Sequence, residues 1–501
     1  MILTLSSGAI VGIAIGAFFA TLIAFMIIRT IIVKPEKMIE IDANLPKIDK
    51  DKVAKLLSGA VSYKTITMLD NSGEGTVFFE FQKFLEKSFP LVMKKAKKVN
   101  VNKYSAMYIY EGTNPDLLPI AVLAHQDVVP ADEDGWDVPP FSGEIKDNYV
   151  YGRGSQDMKS QLIACLEGLE VLLSQNIEIE RTIYFCFGHD EERKGIYGAK
   201  KIVENFIRDG QRFELVIDEG GSIIDGNILG INKNIALIGT CEKGYVDLSL
   251  EAKQESGHSS TPAQKTAVGI LAKGVYKIEK NKMKTHWSQP VLDMFDALAP
   301  YMKAPLKFVA VNKDLLSFLI RPILDKVSPF SSCLIRTTFA PTQLLGSDTP
   351  NTLPHIAKAS INCRILPGET IEDVLKHARK QAKGVEVTAL EGATNPSPIS
   401  PSEGKQYDYV ANSIKEVFND TIVAPYIFIA TSDSKYYHQV SDHVYRFTPF
   451  LKEEDDANRI HGVNERQDID MLVKGVEFFY KLYENACTNV IIEKSEKKKK
   501  D

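Results

Sequence analysis

Five short stretches of this chain carry acidic and histidine side chains able to bind metal: His125-Gln126-Asp127, Asp157 in Gly-Arg-Gly-Ser-Gln-Asp-Met-Lys, the run His189-Asp190-Glu191-Glu192, Asp218 in Val-Ile-Asp-Glu-Gly-Gly, and His461 in Ile-His-Gly. Neutral imidazole and carboxylate are the ligands that borderline divalent ions prefer, zinc first, with manganese or cobalt as substitutes. Two such ions side by side are a recognised device for hydrolysing stable bonds. One at a time the stretches say little. A lone His-x-Asp is more often a hydrogen-bonded structural pair, Glu-Glu a solvated helix face, and an Asp after a strand a helix cap. Their order, and their common place at one edge of a sheet, carry the reading.

That edge follows from the flanking patterns. Tyr104–Tyr110, Ile120–Ala124, Thr182–Phe187 and Glu214–Ile217 are short β-rich runs. In 159–174, Leu162, Leu166, Leu169 and Leu173 recur at helical spacing, and Ala199–Arg208 is a second helix by the same criterion. The alternation predicts an α/β fold with a mixed, largely parallel sheet flanked by helices. His125, Glu191–Glu192 and Asp218 each follow such a strand, and open α/β sheets build their sites at the carboxyl ends of strands.

From about Gly244 the rhythm changes. Strand 245–252, helix 268–279, strands 342–345 and 356–364, helix 371–382 and strand 385–390 predict an inserted α+β unit of βαββαβ order, which the family resemblance given below makes a lid or dimerisation domain. Residues 281–341 form a helical insertion within it. The expected division is an N-terminal anchor over 1–34, a tether over 35–50, and a catalytic domain in two parts, 51–243 and 395–487. The inserted unit over 244–394 lies between them, and a basic tail over 488–501 ends the chain.

The anchor rests on a compositional anomaly. No charged residue precedes Arg29, and Ala9–Ile28 is almost wholly apolar. At about 1.5 Å per residue such a run crosses a hydrocarbon core of about 30 Å. A cleaved signal peptide is the rival, but the start lacks a basic region and an obvious cleavage site. Arg29, Lys34, Lys37, Lys47 and Lys50 follow the span and nothing basic precedes it, which favours the cytoplasmic face for the rest of the chain.

The 501 residues are too many for one ordinary core. A net charge of −5 gives no nucleic-acid footprint. The 6 cysteines, Cys165, Cys186, Cys241, Cys333, Cys363 and Cys487, form no CxxC pair and read as thiols, not as a disulfide framework or thiolate zinc site.

Together with Gly257-His258-Ser259-Ser260-Thr261-Pro262 and Asn351-Thr352-Leu353-Pro354, the five stretches make the chain resemble the dizinc aminoacylase/carboxypeptidase family from about residue 50 to 485. Within it the likeness is to the carboxypeptidase S and N-fatty-acyl-amino-acid hydrolase branch. The resemblance implies one zinc on His125 and Asp218 and another on Glu192 and His461, with Asp157 bridging. It implies that Asp127 accepts the second ring proton of His125, that Glu191 is the general base, and that His258 polarises the scissile carbonyl, in the family commonly from the partner subunit of a homodimer. Arg364 matches the substrate-carboxylate clamp, with Asn351 adding a hydrogen bond. One departure is Arg193-Lys194-Gly195-Ile196, where the family's turn is richer in glycine.

The function expected is zinc-dependent hydrolysis of the amide of an N-acyl amino acid or of a C-terminal peptide bond. A dipeptidase or aminopeptidase of the same fold is the rival among enzymes, although no site for a free amino group is evident. A catalytically silent, membrane-anchored ligand-binding protein is the rival of another class, and the filled ligand positions speak against it. No Gly-x-Gly-x-x-Gly follows the early strands, which argues against a nicotinamide enzyme.

Overall fold

The computed structural model of the chain describes residues 7–36, 43–67, 75–453, 455–488 and 490. Residues 37–42 of the expected tether and nearly all of the basic tail, including Lys497–Lys500, lie outside the described residues.

Eight strands form the main sheet, in the order Lys97–Val101, Ser105–Tyr110, Ile183–Gly188, Ile120–His125, Leu215–Asp225, Val444–Leu451, Asn234–Glu242 and Thr421–Phe428. The four strands from 183 to 451 in that order are mutually parallel, as is the pair 234–242 and 421–428. The first two strands are antiparallel additions. Ile120–His125 is buried at every position, as a strand covered on both faces must be.

On one face Lys159–Ser174 and Ile469–Cys487 pack against the sheet within the largest apolar cluster, which Lys50–Val61 and Thr76–Ser88 complete. On the other face Ala199–Arg208 presents Ala199, Ile202, Val203 and Phe206 inward, at helical spacing, and leaves Lys200, Lys201 and Glu204 to solvent. Ile202, Val203 and Phe206 taken from water contribute about 1.5–3 kcal/mol each.

A separate four-stranded antiparallel sheet has the order Thr338–Leu345, Ile356–Ile365, Gly244–Lys253 and Glu386–Ala389. In Gly244–Lys253 the residues Val246, Leu248, Leu250 and Ala252 are buried and their neighbours face outward, the two-residue period of a sheet with one covered face. Helices Ala267–Lys280 and Ile371–Gln381 cover that face. Thr370 and Asp373 cap the second helix reciprocally.

The helical insertion comprises Gln289–Leu298, Ala304–Val311, Ser317–Val327 and Pro329–Leu334. It packs on the far edge of the main sheet, not on the second sheet: Val291, Met294, Leu298 and Leu334 share a cluster with Ile235, Leu237, Ala424 and Tyr426. The insertion thus belongs to the second unit by sequence and to the main sheet by contact.

Ser7–Ile32 is one helix, long and apolar enough to cross a membrane, with Met26 as its buried residue. Arg29 near its end pairs with Asp314 of the insertion at 3.0 Å.

Candidate active site

Local backbone demands explain where the chemical side chains sit. Gly152 and Gly154 have φ of +144° and +83°, conformations open to glycine at little cost, so Gly-Arg-Gly forms a turn, and it delivers Asp157 to the sheet edge. Glu465 fixes that turn from beneath. Its carboxylate accepts the backbone N–H groups of Gln156 at 2.9 Å and Asp157 at 3.2 Å and pairs with the buried Arg153 guanidinium. Arg153 also donates to the Gly462 carbonyl at 2.9 Å, beside His461, which has a left-handed φ of +62°. One buried ion pair therefore ties the Asp157 loop to the His461 loop across 300 residues of chain.

The outcome is a compact constellation. His125 Nε2 lies 3.0 Å from one carboxylate oxygen of Asp157, and His461 Nε2 lies 3.0 Å from the other. His461 Nε2 is also 3.1 Å from Glu192 Oε1. Ligand atoms of His125, Asp157 and Glu192 fall within 4.8 Å of one another, as do those of His125, Glu191 and Glu219.

Two expected roles are corrected here. Asp218 does not face His125: its Oδ2 accepts the Ser434 N–H at 2.8 Å, while Glu219 Oε1 stands 3.5 Å from His125 Nε2. Successive side chains of an extended strand point to opposite faces, so only one member of Asp218-Glu219 can look into the site, and it is Glu219. Asp127 does not take the His125 ring proton on its carboxylate. His125 Nδ1 is 2.8 Å from the Asp127 main-chain carbonyl and 3.6 Å from its carboxylate oxygen, too long for a hydrogen bond. That carboxylate instead accepts the N–H groups of Glu191 at 3.2 Å and Glu192 at 3.1 Å, capping the turn Glu191–Arg193 and aiming both glutamates. His189 and Asp190, from the same acidic run, are structural. His189 Nδ1 meets Ser105 Oγ at 2.7 Å, and Asp190 accepts Tyr197 and Gly198 N–H groups, each at 2.7 Å.

The charges are heavily coupled. Burial alone would raise Asp157, yet hydrogen bonds from His125 and His461 hold its carboxyl well below the usual range. Burial pushes Glu219 up to about 7, helped by the Asp157 charge, and lifts Glu191 well above an ordinary carboxylate. Burial would lower His125, but the charge of Glu219 and the hydrogen bond to Asp157 outweigh it and raise the imidazole. Hydrogen bonds to Asp157 and Glu192 take His461 up to about 10. So many acids around two imidazoles are held together only by protons or cations. The donor set is all nitrogen and oxygen, with one carboxylate offering each of its oxygens to a different histidine, and it fits a pair of divalent ions of the zinc class.

This cluster lies in a cavity of about 870 Å³ that is also lined by Arg364, Tyr245, Phe428, Thr431 and Lys435. The Arg364 guanidinium stacks over the Tyr245 ring at 4.8 Å. Its charge lies in the same cavity as the acidic cluster, where an anionic substrate group would find it. The unusual turn at Arg193–Ile196 also acquires a role. Lys194, with φ of +78°, donates to the Glu391 carbonyl at 3.0 Å and lies 3.6 Å from Asp247, bridging the main sheet to the second one.

His258 and Asn351 are not brought to the cavity. His258 is exposed, 2.7 Å from Ser260 Oγ, in a short strand paired with Thr352–Leu353, and the Asn351 carbonyl accepts the Ser259 N–H at 3.0 Å. The two residues share one exposed patch on the second unit.

Residues 121–485 match the description peptidase family M20/M25/M40. The chain is 35% identical over 481 residues to the N-fatty-acyl-amino acid synthase/hydrolase PM20D1 of Xenopus tropicalis, covering 94% of each chain. It is 35% identical over 446 residues to the probable carboxypeptidase S-like 2 of Dictyostelium discoideum, covering 87% of this chain and 85% of that one. The crystal structure of the M20 family metallo-carboxypeptidase Sso-CP2 from Sulfolobus solfataricus shares the fold, with a TM-score of 0.66 at 19% identity over 87% of this chain and 99% of that one.

Proposed function

The chain belongs to peptidase family M20/M25/M40, and we propose that within it this protein is a zinc-dependent hydrolase that cleaves the amide of an N-acyl amino acid beside a free carboxylate. It is a metallohydrolase of N-acyl amino acid or peptide amide bonds. The observation that carries the finer reading is Asp157, which offers one oxygen to each histidine while Glu191 stands beside them and Arg364 lines the same cavity.

His125 and Glu219 would hold one zinc, Glu192 and His461 the other, with Asp157 shared. When bound, the metal pair supplies Lewis-acid polarisation of the scissile carbonyl and eases deprotonation of water. The chain's own groups do the rest. Glu191 takes a proton from the attacking water and passes it to the leaving nitrogen, which otherwise departs as an unstable anion. Arg364 grips the substrate carboxylate with its planar fork and so sets which amide reaches Glu191. Asp127 keeps Glu191 and Glu192 aimed through the two backbone N–H groups it accepts.

His258 and Asn351 act, in this reading, from a second copy of the chain in a homodimer formed through residues 244–394, since both are exposed on that unit. Residues 1–34 anchor the enzyme in a membrane with 35–50 as tether, and residues 51–243 and 395–487 together form the catalytic domain, on the cytoplasmic side. A lipophilic acyl group suits an anchored enzyme whose cavity wall includes Phe428 and Ile460.

The test is hydrolysis by the purified full chain of N-acyl amino acids of increasing acyl length, set against unblocked dipeptides. Zinc-dependent release from long-chain N-acyl amino acids is expected. Release from free dipeptides alone would replace this reading with that of a dipeptidase.

A further inference from the structure

The insertion helix Ser317–Val327 is amphipathic in the inverted sense. Three of its four polar side chains, those of Ser317, Arg321 and Asp325, turn toward the protein, and Lys326 alone stays outside. Arg321 donates to the Thr285 carbonyl, Asp325 pairs with Arg336 and accepts Ser332 Oγ at 2.7 Å, and Ser317 Oγ accepts the Trp287 indole N–H at 2.8 Å. Ile320 is buried as well, and Leu324 packs against the apolar cluster on the main sheet. The outward face is left to Phe318, Leu319, Ile323 and Val327, which are 69%, 51%, 59% and 68% exposed, with Leu315 and Phe330 extending the stripe at either end. Soluble helices place charge there.

The position of this stripe indicates what covers it. Asn312 donates to the main-chain carbonyl of Met26 at 3.3 Å and to Thr30 Oγ1 at 3.1 Å, and Asp314 pairs with Arg29 at 3.0 Å. The stripe therefore begins beside the last turns of the apolar helix Ser7–Ile32, at the level where its first charge appears. That level is where a spanning helix leaves hydrocarbon for headgroups. The acids here are already neutralised: Asp314 by Arg29 and Asp296 by Lys313, while Lys303 and Lys326 stay exposed. Apolar side chains rimmed by lysine suit an anionic bilayer surface.

We propose that the helical insertion is a second membrane contact, with the Leu315–Phe330 stripe seated in the bilayer interface beside the spanning helix. It rests on the reading of Ser7–Ile32 as a membrane anchor. The same insertion packs through Tyr426 and Phe428 behind the cavity wall, so this seating holds the active site close to the lipid surface, where a lipophilic acyl group partitions.

The experiment places single tryptophans in the full chain, reconstituted in phosphatidylcholine–phosphatidylserine vesicles with or without brominated acyl chains. Emission added by Phe318→Trp and by Ile323→Trp, above the background of Trp136 and Trp287, is expected to be quenched by the bromolipid. A control, Ile207→Trp on an exposed helix of the main unit, is expected to be unaffected. Quenching of Phe19→Trp reports insertion of the anchor, independently of hydrolysis. Quenching at Phe19→Trp without quenching at 318 or 323 overturns the proposal, including the case in which a second copy of the chain shields the stripe. Absence of quenching at Phe19→Trp removes the anchor and the proposal with it, while leaving the hydrolase reading intact.

Discussion

Glu219→Gln and Asp218→Asn should behave as opposites although they are neighbours. Asp218 Oδ2 accepts the Ser434 N–H at 2.8 Å, its carboxylate is also held by the Glu219 N–H and the Ser432 hydroxyl, and it has no place in the cluster around His125, whereas Glu219 Oε1 stands 3.5 Å from the His125 imidazole. An Asn side chain can still accept the Ser434 N–H but without charge. A charge-assisted bond contributes about 1.5–3 kcal/mol and a neutral one about 0.5–1.5, so the loss is about 1–1.5 kcal/mol of stability, roughly tenfold in the folded-to-unfolded ratio. Glu219→Gln removes an anionic metal ligand. Changes one layer further out already cost about 10–100-fold in metal affinity, so a ligand itself should cost at least about 100-fold. After dialysis against trace zinc, elemental analysis should count close to two ions per chain for wild type and Asp218→Asn, and close to one for Glu219→Gln. Asp218→Asn should show a lowered urea midpoint instead. A missing ion in Asp218→Asn with both retained in Glu219→Gln would refute the assignment of the inward-facing acid.

Arg364→Lys should lower kcat/KM by about 10- to 150-fold, the worth of a charge-assisted contact of about 1.5–3 kcal/mol. The loss should vanish for substrates whose carboxylate is replaced by an amide, and an equal loss on both would place Arg364 outside substrate recognition. Chains carrying Glu191→Gln and chains carrying His258→Ala, each inactive alone, should recover hydrolysis when co-expressed, because one site in the mixed dimer has both groups; persistent inactivity would remove His258 from trans action. The metal-free protein should lose stability between about pH 4.5 and pH 10. Glu219 is raised from 4.5 to about 7 and His461 from 6.5 to about 10, and a group raised in the folded state stabilises it below its unfolded pKa and stops doing so as pH rises through its folded one. Urea midpoints measured across that range in chelator should fall, and saturating zinc should abolish the fall by replacing protons with metal; a flat chelator profile would contradict the coupling.

The parts of this molecule readable from sequence were those governed by short-range periodicity. Helices Lys159–Ser174 and Ala199–Arg208 occupy the expected residues, because the leucine spacing of one and the single apolar face of the other leave little choice. The strand carrying Asp218 runs on to Asp225, past its expected end at Ile217. The acid pair is therefore within a strand, where alternation selects one member, and not in a turn beyond it. A Gly220 φ of +143° and a register shift against Val444–Leu451 at that point set the phase of alternation, and neither has a sequence signal. Glu465 has no sequence signal for a different reason: its partners Arg153, Gln156 and Asp157 lie about 310 residues away, and only the folded chain brings them together. The insertion is helical as its pattern predicts, but its preference for the main sheet depends on which apolar edge the rest of the fold leaves uncovered.

The central claim is that remote segments converge on a metal pair and leave Glu191 free to move protons. Glu191→Gln tests it most directly, with metal content and hydrolysis measured on the same preparation. The account predicts two ions retained per chain and hydrolysis reduced by about 10²–10⁴-fold, the contribution of a positioned general base. Near-normal hydrolysis in that variant, or fewer than one ion per chain in the wild type, would contradict it.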